Sequence, residues 1–73
     1  MISVKERLID YIKDIKEDII NTQKQYDRQL EIIDNETRED WKQYRLKELA
    51  KMAGELDTMK SIVEVLEDIV KDN

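Results

Sequence analysis

Apolar residues recur along this chain at the spacing of helix faces, in two runs. In the second half Leu49, Met52, Leu56, Met59, Val63, Leu66 and Val70 step alternately by three and four. That is a heptad seam, the period at which side chains of neighbouring helices interlock. In the first half Val4, Leu8, Ile12, Ile15 and Ile19 hold one face, and Thr22, Tyr26, Leu30 and Ile33 carry it onward with a polar lapse at Thr22. Between the runs lies "IIDNETREDW", residues 32–41, where the repeat stops.

The stretch carries the signals of one helix ending and another beginning. Asp34, Asn35 and Thr37 can all cap a helix, and Thr37 with Asp40 makes a capping box. Glu36, Glu39 and Asp40 suit a first turn, where the helix dipole favours negative charge. At the other end Ser3 and Glu6 form the same box for the first helix. The spacing therefore predicts one helical domain over 1–73: a helix over 4–33, a turn near 34–36 and a helix over 37–71. An unbroken rod, about 100 Å long at ~1.5 Å per residue, is the rival, since no proline forces a break. Gly54, the single glycine, is a second weak point. In mid-helix it costs about 1 kcal/mol relative to alanine, which marks it as a kink, a close helix contact or the start of a third helix.

Folding the chain at Asp34 and Asn35 sets Leu30 against Trp41, Tyr26 against Tyr44, Ile19 against Met52, Ile15 against Leu56, and Leu8 against Ile62 and Val63. Every layer is then apolar or aromatic. The expected fold is all-α, an antiparallel, coiled-coil-like helical hairpin.

Five apolar residues fall off the seam: Ile9, Ile20, Ile62, Val65 and Ile69. Two helices cover only one stripe on each other, and a wide apolar stripe is what a bundle helix carries. These five are the expected homo-oligomer interface, pairing two hairpins into an antiparallel four-helix bundle, a homodimer. Length points the same way. A chain of 73 residues buries only about 60% of its unfolded surface. With no Cys and no His, neither a disulfide nor the usual zinc ligands can staple it. No cofactor or metal is expected.

Near the turn the chain is poorer in aliphatics and richer in rings. Tyr26, Arg38, Trp41, Tyr44 and Arg45 combine rings with guanidinium groups and form the candidate contact for a partner protein.

Charge changes the picture of partners. The net charge is -5, from 13 bases and 18 acids. Residues 52–73 hold nearly all the imbalance, with 2 bases against 6 acids. Arg38, Lys42, Arg45 and Lys47 are a short basic patch, but Glu39, Asp40 and Glu48 dilute it. Direct nucleic-acid binding, which needs a basic stripe, is not expected. Glu6, Asp10, Asp14 and Asp18 recur every four residues. Such a row resembles a phosphate ladder, so an acidic nucleic-acid mimic is one alternative; a solvated helix face is the simpler account.

Catalytic chemistry has little to stand on. Ser3 and Ser61 have no recognisable activating partner, and no glycine loop could cradle phosphate. The chain is read as not an enzyme. No window approaches a membrane span, and the start "MISVKERLIDY" interrupts its apolar run with charges, unlike a secretion signal. The expected location is cytoplasmic, without a membrane partner. The favoured function is a small dimeric regulator or adaptor that binds a partner protein. A structural coiled-coil or assembly element and the acidic inhibitor are the alternatives.

Overall fold

A computed structural model describes residues 2–72. Helix α1 spans Val4–Asn35 and helix α2 spans Glu39–Asp72. They lie antiparallel as one hairpin, with principal extents of 55 × 17 × 14 Å. The continuous rod is thereby excluded. So is the three-helix alternative, because α2 runs through Gly54 without a break.

Ser3 starts α1 as the sequence predicts. Its backbone is extended, and its Oγ accepts the Glu6 amide at 3.1 Å. The other end differs. The sequence placed the turn near 34–36, whereas α1 continues to Asn35 and residues 36–38 connect the helices. Asn35 does not turn the chain. Its side-chain amide donates to the Glu31 carbonyl at 2.9 Å, which ties it into the last turn. Glu36 turns the chain instead, in an extended conformation at φ -79°, ψ 124°, while its amide donates to the Ile33 carbonyl at 3.1 Å. Among the described residues no φ is positive, so the reversal uses no left-handed residue and no glycine.

Thr37 is not the cap of α2. The Arg38 carbonyl accepts the Lys42 amide at 2.9 Å, which puts the start at Arg38. Glu36 supplies the capping carboxylate from two residues upstream: its Oε1 accepts the Arg38 amide at 3.1 Å.

Moving the turn moves the register. Ile12 and Ile15 pack with Val63, flanked by Ile19, Met59, Leu66 and Val70. The sequence had set Ile15 against Leu56 and Leu8 against Val63, so the helices sit one to two turns further along each other than expected. The core is a single seam. Ile12, Ile15, Ile33, Leu49, Leu56 and Val63 are its only buried hydrophobics among the described residues, and no large side chain is fully buried.

Candidate interaction surfaces

The seam residues fix the roll of each helix. In α1 the seam runs through Leu8, Ile12, Ile15, Ile19, Thr22, Tyr26, Gln29 and Ile33, by threes and fours, with Gln23 and Ile32 half-buried beside it. Gln29 is half-buried and Leu30 is 38% exposed, so the sequence chose the wrong neighbour at this layer. A seam of strict heptads keeps its hand; a step of four from Tyr26 to Leu30 would drift off it.

With the roll fixed, the hairpin has two broad faces, one on either side of the seam. A Lys16–Glu67 ion pair at 2.6 Å spans the two helices and identifies one of them. A groove lined by Ile9, Ile12, Lys16, Glu67, Val70 and Lys71 lies on that same side. Heptad geometry adds Leu30 of α1 with Leu46 and Lys60 of α2. This is the Lys16 face. The opposite side carries Val4, Tyr11, Asp18 and Ile32 from α1. From α2 it takes Trp41, Glu48, Glu55, Ile62 and Ile69, with Tyr44 and Val65 one step further round. This is the Tyr11 face.

The five off-seam residues do not share a face. Ile62 and Val65 line a small apolar groove with Ser61 and Leu66 on the Tyr11 side, and Ile69 follows one heptad after Ile62. Ile9 lines the Lys16-side groove. Ile20 lies on that side too, further from the seam. All five are exposed, Ile20 at 55% and Val65 at 59%. The sequence put Val4 on the seam, but it is 76% exposed, because a step of four to Leu8 followed by another of four to Ile12 carries it off the heptad. It lies with Tyr11, 56% exposed and not singled out in the sequence, on the side of Ile62 and Val65. Heptad position could have found them: both stand one place before a seam residue or its equivalent, as Ile62 does.

The aromatic end is also divided. Trp41 and Tyr44 meet edge to face, with ring centroids 6.2 Å apart and planes at 88°. Both are largely exposed, at 45% and 57%. Tyr26 is half-buried on the seam and makes no ring contact with them. Arg45 is also on the seam, with Nε 3.8 Å from Glu36 Oε2. That nitrogen is buried and has no hydrogen-bond partner, so the pair is a charge contact rather than a bond. Arg38 is exposed and holds Asp40 at 3.1 Å. Glu36, which the sequence reading used only as a helix-start acid, thus joins the turn to the seam.

Glu6, Asp10, Asp14 and Asp18 are all exposed on α1. Four residues advance a helix by roughly 400°, so the row rotates by about 40° a step. It wraps from the Lys16 side across the back to the Tyr11 side and makes no straight ladder.

Among the described residues no cluster of three or more acidic side chains is placed to hold a metal ion. No helix among them is long and apolar enough to cross a membrane. No family model, curated protein or solved structure matches the chain.

Proposed function

We propose that this protein is a non-enzymatic interaction module: a helical hairpin that self-associates and, as a dimer, binds or bridges a partner protein. One observation carries the reading, the excess of accessible surface. The chain exposes 5960 Å². A compact monomer of 8.8 kDa exposes about 4,800 Å². The difference, roughly 1,200 Å², exceeds the ~800 Å² that one partner contributes to a standard interface.

Shape supports the same reading. The radius of gyration is 16.7 Å, against about 11 Å for a compact domain of this length. The exposed surface includes twelve large hydrophobic residues, twice the number buried. Rigid helices limit the ordering cost when such a surface is covered. A purely structural element would share this self-association and differ only in what the dimer holds.

Sedimentation equilibrium over a hundredfold dilution tests the proposal. The expected mass at the concentrated end is twice 8.8 kDa, falling on dilution. A single-chain mass throughout would overturn it.

A further inference from the structure

We propose that the Tyr11 face is the contact between two copies of this chain, and that the copies meet about a two-fold axis running along the helices, with both turns at one end. The inference rests on the self-association proposed above and names its surface and its arrangement.

The two faces are not equivalent. Seven of the twelve exposed large hydrophobics belong to the Tyr11 face: Val4, Tyr11, Ile62, Val65 and Ile69 toward the open end, Trp41 and Tyr44 toward the turn. The Lys16 face holds fewer and is bridged by the Lys16–Glu67 ion pair. No ion pair bridges the helices on the Tyr11 side among the described residues. A face of 55 by 17 Å offers on the order of 900 Å², close to the ~800 Å² per partner of a standard interface.

Two symmetric ways exist to lay this face on itself along its full length. If the axis crosses the helices, each helix lies on its own copy reversed. Tyr11 then meets the region of Gln25 and Arg28, and Ile62 meets Glu48. If the axis runs along the helices, α1 lies on α2 of the second copy, level by level. At the register of the seam, with Ile12 and Ile15 beside Val63, Tyr11 then meets Val65 and Ile69, Val4 lies just beyond Ile69 at the open end, and Ile32 meets Tyr44. Every helix is also antiparallel to its neighbours, which alternates the helix dipoles. Only the second arrangement puts apolar surface on apolar surface at both ends.

Its cost sits in the middle. Asp18 and Glu55 lie in the central stretch of this face, and the axis sets each of them opposite its own copy. Neither makes an ion pair among the described residues. The interface therefore carries a repulsive centre between two apolar ends, and removing that charge strengthens the dimer.

The test uses the full chain with one nitroxide at Thr37→Cys, since the protein has no cysteine of its own. Pulsed dipolar spectroscopy should give an inter-chain distance of roughly 25 Å or less, set by helix spacings of 8–10 Å plus the label arms. A distance near the 55 Å hairpin length would overturn the axis. Glu55→Gln should lower the dimer dissociation constant about 2- to 5-fold, from like-charge pairs counted twice by the symmetry. Val65→Glu should raise it by about 100-fold or more with helicity retained at high concentration. Ile9→Glu, on the Lys16 face, should leave it within about 3-fold. An unchanged constant in Glu55→Gln, or a larger loss in Ile9→Glu than in Val65→Glu, would overturn the face while leaving self-association intact. A monomer at all concentrations would overturn both.

Discussion

Replacing Gly54 with alanine should stabilise the protein. Gly54 lies in the middle of α2 with a negative φ, so alanine can adopt its backbone without strain. A Cβ built there meets nothing within 4 Å. The close helix contact that would justify a glycine is therefore not made to α1. What remains is its intrinsic cost, about 0.8–1.0 kcal/mol relative to alanine in a helix interior, part of which is the extra freedom of glycine in the unfolded chain. For a domain of this size about 1 kcal/mol moves the thermal midpoint by roughly 4–8 °C. Circular dichroism at 222 nm, scanned at one fixed protein concentration, measures the shift. Concentration must be held constant because self-association also moves the midpoint. A lower midpoint in Gly54→Ala would refute the reasoning, since it would require a neighbour packed where the structure shows open space. An unchanged midpoint would refute it too, because the helix-propensity gain has nothing to oppose it.

Two further substitutions test the seam and the turn. Leu56, 5% exposed at the centre of the seam, should cost about 2–4 kcal/mol as Leu56→Ala, read from urea unfolding; a loss under about 1 kcal/mol would mean the hairpin does not pack there. Glu36→Ala removes the acceptor of the Arg38 amide and the counter-charge of Arg45. It should cost about 1–2 kcal/mol, and adding Arg45→Met should recover part of the loss by removing the stranded guanidinium; an additive double variant would break the proposed coupling.

Much of the fold was legible in the residues alone. Heptad spacing in Leu49–Val70 marks which side of α2 is sheltered, and the Ser3–Glu6 spacing marks where α1 begins. These are local properties: the angle of a side chain about its own helix axis follows from residue number. What spacing cannot supply is the roll and slide of one helix against the other. Leu30 looked like the better seam residue than Gln29 because it is apolar, yet the heptad register keeps Gln29 inward and leaves Leu30 on the flank. Asn35 and Thr37 looked like turn and cap, but several residues in "DNET" can satisfy a helix end and the sequence does not rank them. The structure selects Glu36, whose carboxylate serves the Arg38 amide and faces Arg45 from the next turns of α2.

The candidate surfaces divide along the same line. That apolar residues exceed what one seam can bury is a matter of counting and was fixed by composition and spacing. Which of them stand together was decided only when two helices packed at a definite register. Ile9 and Ile62 have the same character in the sequence; the Lys16–Glu67 contact puts them on opposite sides of the hairpin. A helix carries its own stripe wherever it goes, but a face made from two helices exists only once their relative rotation is set.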